Sequence, residues 1–166
     1  MFYNRKKMRL GGWDYSGEAT YFLTICTKNR KPVLSSVVGC GILDAPKVKL
    51  SQYGMDVERS LAFLHEHNPA IEIRHWVIMP NHVHLLLSIC PQQETEGASR
   101  MLRPTDATLA MFVSSLKRYT NRIAGTDLWQ TGYYDHIIRD EKDFLHKWQY
   151  IDNNPANWLL DDYFID

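Results

Sequence analysis

Nowhere in this 166-residue chain do apolar residues run unbroken for the roughly 18–20 positions that a membrane-spanning helix requires, so no membrane segment is expected. The first ten residues include Arg5, Lys6, Lys7 and Arg9 but no apolar core behind them, and a secretory signal is not expected either. Cysteine is scarce. Cys26, Cys40 and Cys90 lie far apart with no Cys-x-x-Cys pair, which argues against a zinc or disulfide framework and fits the reduced thiols of a cytoplasmic protein. Internal repeats, low-complexity tracts and an evident domain boundary are all missing, so residues 1–166 read as one domain long enough for a full core. Net charge is lacking too: 19 Lys and Arg balance 19 Asp and Glu. That balance argues against generic nucleic-acid binding.

What is present is ordinary in amount and uneven in placement. Apolar residues make up 45% and charged residues 23% of the chain, as in soluble globular proteins. Residues 1–31 hold Arg5, Lys6, Lys7, Arg9, Lys28, Arg30 and Lys31 against only Asp14 and Glu18. Lys117, Arg118 and Arg122 form a second basic cluster, and Asp152, Asp161, Asp162 and Asp166 gather near the C-terminus. Such segregation can present a local phosphate-binding surface that the sum hides, or it can be a plain solvated surface.

The β-branched and aromatic run Thr20–Thr27 predicts a strand, closed by the turn signal Lys28-Asn29-Arg30-Lys31-Pro32. Residues 33–50, with Gly39, Gly41 and Pro46, read as loop with room for a short strand. From Ser51 the period becomes helical through Val57, Leu61 and Leu64, and the helix is expected to stop at Asn68-Pro69. Strands Ile71–Met79 and His82–Cys90 follow, joined by the tight turn Pro80-Asn81. A polar, variable loop occupies about 91–106. Leu109, Phe112, Val113, Leu116 and Ile123 then mark one face of a helix over 107–123 that ends near Gly125. A strand over Tyr133–Arg139 leads to Asp140, which can cap a last helix whose Phe144, Trp148 and Ile151 face the core. The order β-α-β-β-α-β-α is that of an α+β fold. Its first six elements match the ferredoxin-like, split βαβ pattern, an antiparallel sheet with helices on one face, to which a C-terminal helix is added.

The chemistry concentrates in Met79-Pro80-Asn81-His82-Val83-His84. On a strand alternate side chains share a face, so His82 and His84 project together about 6–7 Å apart, while Val83 enters the core. Two imidazoles so placed can grip a divalent ion and leave positions open for a substrate oxygen. Cupins and carbonic anhydrases also place a His-x-His pair on a strand. Here Leu85–Cys90 supply no cupin glutamate, and His136 is the candidate for a third strand histidine in a chain too short for a carbonic anhydrase. Tyr150 and Asn154, four apart, share one face of the last helix. The Asn154 amide oxygen could complete a metal site, and Tyr150 could act as a covalent nucleophile beside it. Taken singly, each has an ordinary structural role open to it: a core histidine pair, a half-buried helix aromatic, a helix C-cap before Pro155.

The run Asn81-His82-Val83-His84 resembles the HUH motif (His, hydrophobic, His) of single-strand DNA nucleases. Together with Trp129-Gln130, the segment Asp135-His136-Ile137-Ile138-Arg139-Asp140-Glu141, and Tyr150-Ile151-x-x-Asn154-Pro155, it resembles the REP-associated tyrosine transposases. Arg9-Leu10, Tyr15, Tyr21–Thr27 and Arg30 are similar to the start of those proteins. The resemblance thus covers nearly the whole chain except the loop about 91–106. It implies a single HUH-type domain over 1–166, with Mg²⁺ or Mn²⁺ on His82 and His84, a third ligand at Asn154 and Tyr150 as nucleophile. It further implies transesterification on single-stranded or hairpin DNA through a 5′-phosphotyrosine. Lys6, Lys7, Arg9, Arg118 and Arg122 are candidate phosphate contacts, and Trp13, Tyr15 and Tyr133 candidate stacking platforms. Tyr119, beside Lys117 and Arg118, is the rival nucleophile. Zero net charge departs from a DNA-handling family. A DNA-binding relative without cleavage and a metal-dependent phosphoesterase using water stay open, as do a monomer and a homodimer.

Overall fold

The computed structural model describes residues 19–39, 45–90 and 105–164. Its main sheet has four antiparallel strands: β1 (Ala19–Cys26), β4 (Ile71–Ile78), β5 (His82–Ile89) and β6 (Tyr134–Ile137), in the spatial order β4-β5-β1-β6. Helices α1 (Gln52–His67), α2 (Thr105–Ala124) and α3 (Glu141–Asn153) complete the ferredoxin-like arrangement. A small hairpin, β2 (Ser35–Val38) with β3 (Lys47–Leu50), fills part of the segment that reads as loop in the sequence. Its strands have only four residues each, too short for a clear alternation to stand out.

Strand alternation divides the molecule into two layers. Tyr21, Leu23 and Ile25 of β1, with Val83, Leu85 and Leu87 of β5, pack against Val57, Leu61 and Leu64 of α1 and Leu109, Phe112, Val113 and Leu116 of α2. The opposite face carries a smaller cluster in which Phe22 and Leu86 meet Ile151, flanked by Phe144 and Trp148. It holds α3 across β4 and β5. A bulge at Arg74 shifts the β4 register between Ile73 and His75. Past it His75 stacks on Trp148, with ring centroids 4.3 Å apart, and its Nε2 lies 2.7 Å from Asp152 Oδ1. The extra residue thus re-aims the strand toward α3.

The helix ends follow local chemistry. Ser51 accepts a hydrogen bond from Gly54 N–H, and Asp140 accepts one from Asp143 N–H at 2.8 Å. Gly125 ends α2 with φ +65°, where only glycine is unstrained. Gly54 is required for another reason, because a Cβ there would run into the Leu34 carbonyl oxygen. The β6 strand is shorter than the sequence suggests. It pairs through Tyr134–Ile137, and the chain leaves the sheet before Asp140 caps α3.

Candidate metal and nucleophile site

His82 and His84 leave β5 on the α3 side, both in the interior at 0% and 1% exposure. Their rings sit 4.4 Å apart, centroid to centroid, and Phe22 of β1 stacks on His84 at 5.0 Å. Asn81 fixes the tautomer of His82. Its Nδ2 donates to the Tyr163 carbonyl at 2.6 Å, so its Oδ1, 2.9 Å from His82 Nδ1, must accept from that ring nitrogen. His84 Nδ1 lies 3.0 Å from Thr24 Oγ1, and the Leu23 backbone lies within hydrogen-bond reach of the same ring. His82 therefore carries its hydrogen on Nδ1, and the Nε2 of each ring is buried without a hydrogen-bond partner. Burial pushes both imidazoles well below their ordinary pKa, which keeps them neutral and able to ligate at physiological pH.

Asn154 arrives from the end of α3. Its backbone stays helical at φ −59° and ψ −40°, so the four-residue spacing from Tyr150 survives beyond the last assigned turn. The amide orientation is set by Asp161, whose Oδ2 accepts from Asn154 Nδ2 at 2.8 Å. A carboxylate only accepts, so Asn154 Oδ1 is turned away from it. Among the described residues, the buried side-chain atoms without a hydrogen-bond partner are His82 Nε2, His84 Nε2 and Asn154 Oδ1. Three buried orphan acceptors are costly to leave unsatisfied, and a cation among them would relieve that cost, as would a donor such as water. Two neutral imidazoles and an amide oxygen are a donor set that can hold a divalent metal ion.

Tyr150 stands at the rim, 38% exposed, with its ring 5.2 Å from that of His84 and edge-on to Phe22 at 5.8 Å. Burial, with the negative charge of Asp161 next in weight, pushes its phenol up to about 12. The free protein thus holds it protonated. A cleft of about 150 Å³, lined by Tyr150, Asn154, Asn157, Leu160, Asp161 and Asp162, opens beside it.

The other candidates lie elsewhere. Arg118 and Arg122 are exposed on α2, across the sheet from the histidines. Tyr119 shares that helix and packs near Phe63 at 5.5 Å, which separates it from the pair. Lys117 is structural, donating to the carbonyls of Gln130 at 2.8 Å and Gly132 at 2.5 Å. Tyr133 packs against the main core. His136 Nε2 pairs with Asp143 Oδ2 at 2.8 Å, not with the other histidines. Lys6, Lys7, Arg9, Trp13 and Tyr15 fall outside the described residues. Sequence reasoning missed the parts played by Asn81, Thr24 and Asp161. Asn81 had a signal in its place beside His82, whereas Asp161 had only its membership of an acidic tail.

Residues 16–154 match the family described as "Transposase IS200 like". The chain belongs to this family. The match takes in every residue of the site as far as Asn154 and ends before Asp161. Relatives of this IS200-like transposase include a protein of Haemophilus influenzae without an assigned function, 30% identical over 99% of this chain and 95% of that one. The REP-associated tyrosine transposase of Escherichia coli is 25% identical over 86% of this chain and 69% of its own length. The ISDra2 transposase TnpA of Deinococcus radiodurans is 30% identical over 74% of each chain. Among solved structures, a REP-associated tyrosine transposase bound to a REP hairpin superposes with a TM-score of 0.60 at 20% identity, covering 91% of this chain and 74% of that one. The fold is therefore that of the REP-associated enzymes, and the chain is one of their kin. Among the described residues no helix is long and apolar enough to cross a membrane.

Proposed function

We propose that this IS200-like transposase cuts and rejoins single-stranded DNA next to a hairpin, with Tyr150 as the nucleophile. The observation that carries the reading is the convergence of His82 Nε2, His84 Nε2 and Asn154 Oδ1, all buried and unpartnered, beside a half-exposed tyrosine. A divalent ion, Mg²⁺ or Mn²⁺, held by those three atoms would offset the charge that develops on the oxygens of a scissile phosphate. The Tyr150 oxygen forms the new bond to phosphorus while the bond to the 3′ oxygen breaks. The phenol gives up its proton and the leaving 3′ oxygen gains one. The products are a 5′-phosphotyrosine and a free 3′-hydroxyl, and attack by that hydroxyl or another reverses the step. One phosphodiester exchanges for another, so no external energy source is needed. Asn81 contributes by holding the His82 tautomer, Thr24 by a hydrogen bond that orients the His84 ring, and α3 by holding Tyr150 at one distance from them.

Hairpin DNA as substrate is supported by the kinship with REP-associated enzymes, one of which has been solved on a REP hairpin. The Tyr150 ring lies 5.2 Å from that of His84 in the same chain, which supports attack in cis.

The test is incubation with end-labelled single-stranded hairpin DNA in Mg²⁺ or Mn²⁺, followed by denaturing electrophoresis. The expected outcome is a protein–DNA adduct that disappears with chelator and in Tyr150→Phe. An adduct that persists in Tyr150→Phe would overturn the nucleophile. Tight hairpin binding without an adduct would point to a non-cleaving relative, and turnover of small phosphoesters without an adduct to a water-using phosphoesterase.

A further inference from the structure

Asp161 lies beyond the segment matched by the family and outside the set His82, His84 and Asn154. It follows a short 3-10 turn, Trp158–Leu160, that brings the chain back over the histidines. Ligand-type atoms of His82, His84 and Asp161 all lie within 4.8 Å of one another, a separation that one ion can bridge. We propose that Asp161 is a fourth protein ligand of the divalent ion, so that the site is two imidazoles, an amide oxygen and a carboxylate. This rests on the reading that His82 and His84 hold such an ion.

Three observations carry the assignment. The two imidazole nitrogens and the Asn154 oxygen are buried and unpartnered, three acceptors that a bound cation would satisfy. The three neutral donors bring no charge, and an ion drawn into this interior gains most from the one carboxylate beside them. Finally, Asp161 is held in place. Its Oδ1 accepts from Tyr163 N–H at 2.7 Å and its Oδ2 from Asn154 Nδ2 at 2.8 Å. Two lone-pair directions remain on the carboxylate after those bonds. The segment around it is fastened as well, by Asn81 Nδ2 to the Tyr163 carbonyl at 2.6 Å and Arg30 to the Asp162 carbonyl at 3.1 Å.

A rival role is easily confused with this one, since Asp161 also orients the Asn154 amide and could act through it alone. A double-mutant cycle separates the two. Mn²⁺ affinity is measured by calorimetry, and bound water by the relaxation of water protons, for the full chain and for Asn154→Ala, Asp161→Ala and the double variant. Asp161→Asn, which keeps the side-chain size, guards against a folding defect. A ligand role predicts that Asp161→Ala weakens Mn²⁺ binding by about tenfold or more even when Asn154 is already alanine, and that the ion gains one further water. Asp161→Asn is expected to lose affinity as well while melting like the parent. If Asp161→Ala is silent in the Asn154→Ala background, Asp161 only positions Asn154 and the inference fails. His84→Ala tests the underlying reading separately: unchanged Mn²⁺ affinity there, or no binding by the parent chain, would remove the metal site itself.

Discussion

The Nδ1 atom of each site histidine has a neighbour within hydrogen-bond reach. Asn81 is the clearest case, because its amide is read from both sides, by the Tyr163 carbonyl and by His82 Nδ1. Asn81→Ala should leave His82 free to turn or to change tautomer, and Mn²⁺ affinity measured by calorimetry should fall by about 10–100-fold, the usual cost of losing such an orienting partner. The histidines and the tyrosine–asparagine pair were legible from spacing, since periods of two and four place side chains on one face whatever the rest of the fold does. Asn81 stands in the motif with no role that spacing reveals, because its amide's orientation depends on a carbonyl 82 positions away. Asp161 was illegible for a similar reason. It reaches the site through an irregular turn that has no period to read.

At the scale of elements, the strands and helices around the site follow the hydrophobic pattern closely, and the misreadings fall where pattern is weakest. The β2–β3 hairpin was legible only as loop with room for a short strand, yet it is tied to the site-bearing turn. Leu34 N–H donates to the Pro80 carbonyl at 2.9 Å, and Ser35 Oγ donates to the Ile78 carbonyl at 2.9 Å. Helix α1 closes on the same segment through Gly54, against the Leu34 carbonyl. Gly54→Ala should therefore force the helix start away and cost about 1–3 kcal/mol, as overpacking does, read from urea unfolding followed by circular dichroism. Helix α3 has its own electrostatic anchor. Burial alone would raise the Asp143 carboxyl, but hydrogen bonds from His136 and from Arg139 N–H, with the positive charge of Lys147, hold it below its ordinary value. A depressed folded-state pKa stabilises above the unfolded value and is lost as pH falls through the folded one. Stability should thus drop as pH is lowered from about 4. In Asp143→Asn the melting temperature should be lower near neutrality and fall less steeply on acidification.

At the scale of the whole molecule, the sheet works as a partition. One face carries α1, α2 and the main core. The other carries the histidines, α3 and the returning C-terminal segment. That division sets Tyr150 beside His84 and leaves Tyr119, Arg118 and Arg122 behind the sheet. It also brings together residues more than sixty positions apart, which spacing alone could suggest but not join. The α+β topology was legible from element order because the ferredoxin-like order leaves few ways to arrange four antiparallel strands. The central claim is that Tyr150 of this chain becomes covalently joined to a DNA 5′-phosphate. The most direct measurement is mass spectrometry of proteolysed adduct after reaction with single-stranded hairpin DNA in Mn²⁺. The expected result is a nucleotide phosphate attached to Tyr150. A modification on Tyr119, or cleaved DNA with every tyrosine unmodified, would contradict it.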